Sequence, residues 1–201
     1  MNQPILRSAL ATAAALLLAF APLGTAHASG AAESGAEVAS LRPGEFVWQP
    51  GLSERGAVEI VVSVPLQRAY VYRGGTLIGI STVSTGRRGH ETPTGTFNIL
   101  QKRREHYSNL YNNAPMPFMQ RLTWDGIALH AGEIPGRPAS HGCVRLPLAF
   151  ARSLFAVTEV GAAVHILQAS PSAREALAVV RGNGAYAGMG GPEEEVGAAA
   201  D

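Results

Sequence analysis

The sequence predicts a mostly β domain, a sandwich or barrel of mixed strands that carries one or two short helices. Short runs rich in β-branched and aromatic residues recur from Ala57 onward, and residues typical of turns separate them. One apolar stretch of helical length follows near residue 150. Strands therefore do not alternate with helices as they do in a parallel α/β sheet, which favours the mostly β class.

The individual elements follow from local patterns. Strands are predicted at residues 57–64, 66–73, 76–84, 96–100, 122–130 and 162–168. Gly74 and Gly75 join the second and third of these in a β-hairpin. Pro147 suits the first position of the apolar helix, and a second short helix is predicted at residues 172–180. Residues 101–120 show no period, and a loop of that length in a compact domain is more often functional than idle.

The first 28 residues read as a secretory signal peptide. Arg7 precedes an apolar run at residues 9–21, and an A-x-A sequence ends at Ala28. The alternative is an uncleaved anchor, because residues 9–28 approach the length that spans a bilayer. We therefore expect an exported protein of the periplasm or cell envelope, which meets the membrane only through this segment.

The rest of the chain divides by composition. Residues 29–56 are predicted to be a linker with a docking segment at residues 46–48, residues 57–168 a folded domain, and residues 169–201 a short helix and disordered tail. The formal net charge of +1 gives no signature of nucleic-acid binding. Cys143 is the only cysteine, so no internal disulfide can form and the thiol is either reactive or paired with another chain.

The sequence ASHGCVRLP, residues 139–147, places the thiol beside a histidine. A catalytic cysteine needs a base or a cation nearby, because the thiolate is the nucleophile. His141 precedes Cys143 by two residues and would point to the same side of an extended backbone. His130 lies at the end of its own predicted strand, on the face that it shares with Ala128. The spacing alone does not decide which histidine accepts the proton.

Gly142 lets a substrate backbone approach, and the N–H groups of Gly142 and Cys143 could bind an oxyanion. Other interpretations of the same residues remain open: a lone histidine is often structural, and a lone buried cysteine is often a small hydrophobe. A zinc site on His130, His141 and Cys143 would have three ligands without paired-cysteine spacing, so we predict no metal and no organic cofactor.

Four ordered stretches of the chain carry a family resemblance. Residues 140–146 resemble the S/T-H-G-C signature of the L,D-transpeptidases, the YkuD-type cysteine enzymes of bacterial peptidoglycan. Residues 129–132 are similar to the Leu-His-Ala-Gly context of the family's upstream histidine. Residues 91–97 resemble its E-T-P-x-G-x-F segment, and residues 116–119 with 122–127 resemble its lid and the strand leading to the base. The resemblance covers residues 57–168 and implies that they form the L,D-transpeptidase catalytic domain.

The resemblance implies a role for each residue of the motif. Cys143 would be the nucleophile, ionised at neutral pH through the imidazole of His130, the general base. The carbonyl of Ala131 would hold the His130 ring. His141 would shape the site and its oxyanion pocket together with the N–H of Gly142.

It also implies a substrate. Cys143 would form a thioester with the third residue of a tetrapeptide stem of peptidoglycan, release D-alanine, and pass the acyl group to an amine. The acceptor could be another stem, giving a 3→3 cross-link, or an envelope protein. Two alternatives remain: a cysteine hydrolase of stems, either a carboxypeptidase or an endopeptidase, and a wall-binding protein without catalysis.

Substrate contacts are expected from the lid at residues 106–120 and from the motif itself. The predicted contacts are Arg103, Tyr107, Tyr111, Phe118, Ser140 and Arg145. Family members often carry asparagine where Arg145 stands, so Arg145 could pair with a substrate carboxylate or with a structural acid. The interval from His130 to Ser140 is short for the family, which predicts a tight loop at residues 132–138 and less cover over the cleft.

Overall fold

The computed structural model of the protein describes residues 41–108 and 112–182. The predicted signal peptide, Tyr111 and most of the predicted tail lie outside these residues. Within them the strands are Phe46–Trp48 (β1), Val58–Ser63 (β2), Arg68–Arg73 (β3), Thr76–Thr82 (β4), Gly95–Asn98 (β5), Gln101–Arg103 (β6), Met119–Arg121 (β7), Ala128–Ala131 (β8), Val144–Leu146 (β9) and Ala163–Leu167 (β10). The helices are Leu148–Val157 (α1) and Ala176–Gly182 (α2), with one 3-10 turn at Pro50–Leu52.

The strands form two mixed sheets. A six-stranded sheet has the order β1-β4-β3-β2-β10-β5, and a four-stranded sheet has the order β6-β7-β8-β9. The pairs β2–β10 and β8–β9 are parallel and the others are antiparallel. This architecture confirms the predicted mostly β class with mixed strands and two short helices.

The main core takes apolar side chains from both sheets and from α1. Val62 and Val71 come from the large sheet, Leu129 and Val144 from the small sheet, and Phe150 from α1, and all five are fully buried. Burial of apolar area is the main force that stabilises such a core. The core therefore joins the two sheets and α1, and it positions the strands that carry the site. No helix among the described residues has the length and hydropathy needed to cross a bilayer.

Residues 122–130 do not form the single strand that the sequence predicted. β7 ends at Arg121, β8 begins at Ala128, and a turn separates them. The hydroxyl of Thr123 accepts the N–H of Ile127 at 3.0 Å, and Gly126 has φ +120°. A threonine hydroxyl that accepts a backbone N–H a few residues later and a glycine at positive φ both favour a turn over a strand. The predicted shared face of Ala128 and His130 holds, since both line the same cleft.

The amino-terminal docking segment is part of the large sheet. β1 pairs with β4 at the edge, and the rings of Phe46 and Trp48 lie 5.5 Å and 5.3 Å from the ring of Phe150. Gly79 makes room for this contact, because a Cβ there would lie 2.5 Å from the indole of Trp48. The predicted linker thus contains an integral strand. At the start of α1, Pro147 is the N-cap residue, one position before the place predicted for it.

Candidate active site

A cleft of about 300 Å³ lies against the small sheet. Six of the residues predicted for the site line it: Ala131, His130, Ser140, His141, Cys143 and Arg145. The remaining lining residues come from the segment before β7, from β7 and β8 themselves, from the turn between them and from the loop after β8. The cleft therefore gathers the cysteine and both histidines of the motif into one place.

Cys143 ends a loop, residues 139–143, immediately before β9. It is half-buried, and its thiol donates to the carbonyl of Gly126 at 3.4 Å. Burial raises the pKa of the Cys143 thiol, although the N–H of Ala128 and the charges of Arg145 and Arg121 act in the opposite direction. The direction of this shift favours the thiol in the unliganded site, in contrast to the expectation of a sulfur ionised at neutral pH.

His130 lies on β8 with 8% of its surface exposed. Its Nδ1–H donates to the carbonyl of Ala131 at 2.8 Å. A carbonyl only accepts, so Nδ1 carries the proton and Nε2 keeps a free lone pair. Burial lowers the pKa of His130 to about 4, and the Ala131 carbonyl only partly offsets it. The ring is thus neutral at neutral pH and able to accept a proton.

The backbone around Cys143 is bent rather than extended. Gly142 has φ +116°, and a Cβ on it would lie 2.8 Å from Cδ1 of Ile127, so this position requires glycine. The Gly142 N–H donates to the hydroxyl of Ser140 at 3.1 Å, and that hydroxyl donates to the Cys143 carbonyl at 2.5 Å. The geometry therefore does not support the oxyanion role predicted for the Gly142 N–H, and it gives Ser140 a role in holding the loop.

His141 occupies a more open position than His130. It is partly exposed at the cleft, and its ring meets the ring of His90 edge-on, with 4.8 Å between centroids. Loss of solvation lowers the pKa of His141, and the nearby positive charges of Arg87, His90 and Arg145 lower it further. These positive charges disfavour a protonated His141 ring. They agree with a neutral ring that shapes the rim of the cleft.

Two arginines bring positive charge to the cleft. Arg145 on β9 packs its aliphatic stem against Gly132, where a Cβ would lie 3.0 Å from Cδ of Arg145. Arg121 on β7 lies directly across from Ala128 on β8. Neighbours across a strand pair share a face, so Arg121 also faces the cleft. Sequence reasoning missed Arg121, because its face depends on a strand register that the sequence does not reveal.

Three of the predicted substrate contacts do not line the cleft. Phe118 packs against Phe155 of α1, with ring centroids 5.8 Å apart. The side chain of Tyr107 is 56% exposed, and Arg103 is exposed at the end of β6. Met116 and Met119 instead supply the apolar surface, packing with Ala128 and Cys143. Tyr111 lies outside the described residues.

Metal binding finds no support in this part of the chain. No three His, Cys, Asp or Glu side chains within residues 41–108 and 112–182 lie close enough together to hold a metal ion.

Comparisons with known proteins agree with this architecture. The family model for the L,D-transpeptidase catalytic domain (YkuD) matches residues 57–166. An L,D-transpeptidase from Stackebrandtia nassauensis superposes with a TM-score of 0.54 at 23% identity, over 68% of this chain and 65% of that one. An L,D-transpeptidase from Mycobacterium smegmatis gives 0.51 at 21% identity, over 55% and 58%.

A third solved structure is L,D-transpeptidase 3 from Mycobacterium tuberculosis in complex with a faropenem-derived adduct, with a TM-score of 0.52, 21% identity, and coverage of 56% and 60%. The chain spans less than two thirds of the length of each of these proteins. No curated protein matches the sequence at a significant level.

Fold and cleft together define a mostly β protein in which a cysteine and a buried neutral histidine share one site. The family match covers more than half of the chain. The protein belongs to the family of the L,D-transpeptidase catalytic domain, the YkuD family.

Proposed function

We propose that the protein is an exported peptidoglycan L,D-transpeptidase with Cys143 as nucleophile and His130 as general base. One observation carries the proposal: both side chains line the same cleft, and the bond from Nδ1 of His130 to Ala131 leaves Nε2 as a proton acceptor. A nucleophile, a base and a group that orients the base are the parts that covalent acyl transfer needs.

In the first half-reaction Sγ of Cys143 attacks the carbonyl carbon of the third residue of a tetrapeptide stem. A C–S bond forms, and the bond to the nitrogen of the terminal D-alanine breaks. His130 takes the thiol proton at Nε2 and delivers it to that nitrogen as the amine leaves. Free D-alanine and a thioester on Cys143 are the products.

In the second half-reaction an amine attacks the thioester carbonyl. His130 accepts a proton from the amine, the C–S bond breaks, and the sulfur recovers its proton. Another stem would give a 3→3 cross-link, and a lysine of an envelope protein would give an anchored protein. Attack by water would instead make the protein a hydrolase, which is the alternative function.

The protonation of the unliganded site favours proton transfer from Cys143 to His130 during the attack. It disfavours a thiolate–imidazolium pair that exists before the substrate binds. Burial raises the pKa of the Cys143 thiol and lowers that of His130, so the unliganded pair is a thiol and a neutral imidazole. Two neutral groups avoid the cost of desolvating two charges in a partly buried site. The thiolate then forms as the sulfur bonds to carbon.

The products of incubation with tetrapeptide stems decide between transfer and hydrolysis. We expect dimers joined 3→3, detected by mass spectrometry of the purified reaction. Shortened monomers alone would support the hydrolase.

Replacement of the nucleophile tests the assignment directly. Intact-mass measurement with the carbapenem meropenem, a β-lactam that thiol attack opens, should add the mass of one drug molecule to the wild type. Cys143→Ala should show no adduct at all, because no other cysteine exists in the chain. An adduct on the Cys143→Ala protein, with its thermal unfolding unchanged, would exclude Cys143 as the nucleophile.

A further inference from the structure

The peptide group between Gly142 and Cys143 is held from outside the loop by one side chain. The hydroxyl of Thr92, a buried residue, donates to the carbonyl of Gly142 at 2.7 Å. The same oxygen accepts the N–H of Gly86 at 2.8 Å. An N–H can only donate, so the single hydroxyl proton is committed to Gly142.

This bond determines where the N–H of Cys143 points. In a trans peptide the carbonyl oxygen and the following N–H lie on opposite sides of the C–N bond. Cys143 lines the cleft, whereas Thr92 does not. The Gly142 carbonyl therefore points away from the cleft toward Thr92, and the Cys143 N–H points to the other side, where the acyl carbonyl of a substrate would lie.

The N–H of Gly142 is not available to bind the same oxyanion. The Gly142 N–H is committed to the hydroxyl of Ser140 at 3.1 Å. The Cys143 N–H is then the backbone donor that the loop offers to an oxyanion. Its aim depends on the two hydroxyls that hold the loop, and Thr92 is the one that binds the same peptide group.

The segment that carries Thr92 is held at its start by Gln67, which lies in the turn between β2 and β3. The side chain of Gln67 donates from Nε2 to the Thr85 hydroxyl at 2.6 Å and accepts the Thr85 N–H at 3.0 Å. The Thr85 carbonyl in turn accepts the N–H groups of Ala139 and Ser140 at 2.9 Å and 3.0 Å.

Gly86 closes the turn that brings Thr92 to the loop. A Cβ there would lie 1.9 Å from the carbonyl oxygen of His90, so only glycine fits. The segment from Thr85 to Thr92 is thus held against the catalytic loop at both of its ends.

We propose that Thr92 is a positioning residue that aims the Cys143 N–H at the oxyanion formed during acylation. This role rests on the proposed function, since it presumes attack of Cys143 on a carbonyl. Removing one oxyanion donor from an enzyme costs about a hundred- to a thousandfold in rate. Misdirecting a donor that stays in place should cost less, so we expect Thr92→Val to slow acylation about ten- to a hundredfold.

Two reactions of the same thiol test the role. Acylation by meropenem passes through an oxyanion, whereas alkylation by iodoacetamide at a saturated carbon does not. We expect Thr92→Val to lower the acylation rate while its alkylation rate stays within about twofold of the wild type, and Thr92→Ser to restore acylation to within about threefold because it keeps the hydroxyl. Thr94→Val, two residues further along the chain, is the matched control and should leave both rates unchanged.

Each other outcome overturns the role. Equal acylation of Thr92→Val and wild type would show that the hydroxyl does not aim the donor. A parallel fall in acylation and alkylation would show that Thr92 acts on the thiol or on the fold. Wild-type protein that is alkylated but never acylated would overturn the proposed function and this role with it. If Thr92→Val does not fold, Thr92→Ala also removes the hydroxyl, and its acylation and alkylation rates provide the same comparison.

Discussion

The two walls of the cleft present different kinds of group to a substrate. The reactive wall, residues 128–131 and 139–145, is held by directional hydrogen bonds, among them those of Thr92 to Gly142 and of His130 to Ala131. The covering wall, residues 104–108 and 112–121, is joined to β8 by the β7–β8 ladder and by the N–H of Ala131, which donates to the carbonyl of Pro117 at 2.8 Å. The side chains that it brings to the cleft are mainly apolar, with Met116 and Met119 packing with Ala128 and Cys143. Hydrogen bonds fix orientation, whereas apolar contacts are non-directional. The reactive wall is therefore suited to chemistry and the covering wall to contact with the substrate.

The walls also differ in how charge is placed. In the reactive wall, burial raises the pKa of Cys143 and lowers that of His130, so both groups favour their neutral form, and the charge of that wall lies on Arg145. The covering wall contributes Arg121, whose guanidinium lies 5.9 Å from the ring of the exposed Trp124. A charge near solvent can meet a carboxylate without the cost of full desolvation.

The largest effect is expected from the histidines of the reactive wall. His130→Ala should lower the rate of acylation by a tetrapeptide stem about a hundred- to ten-thousandfold, because it removes the proposed general base. His141→Ala should cost about tenfold, since the role proposed for His141 is to shape the rim of the cleft. Single-turnover thioester formation, followed by intact mass, measures both variants.

The relative acylation rates of the two variants show which histidine is the base. A fully active His130→Ala protein, folded by circular dichroism, would move the base role to His141. If His141→Ala lowered the acylation rate as much as His130→Ala, the buried ring and the partly exposed ring would be equally important for acylation.

The pH profile of acylation sharpens the electrostatic contrast. His130 must be neutral to accept a proton, and its pKa is lowered to about 4, so the ring stays competent above that pH and is lost as pH falls through it. The rate with a stem tetrapeptide should therefore decline by about tenfold per pH unit only below about pH 4. Circular dichroism at each pH checks that the fold persists. An acid limb near the ordinary histidine value would show that the ring is solvated.

The smallest effect separates two arginines associated with the covering wall. Arg103 is exposed and does not line the cleft, whereas Arg121 lines it. Arg121→Gln should raise the apparent KM for a stem about three- to tenfold, in line with the loss of one charged hydrogen bond at a partly exposed site. Arg103→Gln should leave kcat and KM within about twofold. An equal effect of both substitutions would mean that long-range charge, and not contact in the cleft, governs binding.

Much of this architecture was predictable from local pattern. The hairpin at Gly74 and Gly75 formed as predicted. Its strands are buried on both faces, because alternate side chains enter two different apolar clusters. The closing strand and α1 also lie where hydrophobic pattern and Pro147 indicated. The second helix begins at Ala176, four residues later than predicted, because residues 172–175 form a turn closed by the side chain of Glu175 on Ser172.

The motif residues themselves were also visible in sequence. The string of residues 140–146, together with the Leu-His-Ala-Gly context of His130, identified the family that the family match then showed. The substrate contacts were much less predictable. An aromatic residue in a lid can face the cleft or the core, and Phe118 faces Phe155 because its backbone turns through φ +55° just before β7.

The sequence by itself determined the mostly β class, the family and the identity of the cysteine and histidines, because these depend on residue type and short-range order. Only the tertiary structure decided the directions of the pKa shifts of the pair, the hydrogen bond of the Gly142 N–H to Ser140, and the entry of Arg121 into the cleft. The physical reason is that pKa values, hydrogen-bond partners and strand register depend on groups far apart in the chain. Thr92 and Gly142 meet across fifty residues, and no local pattern records that contact.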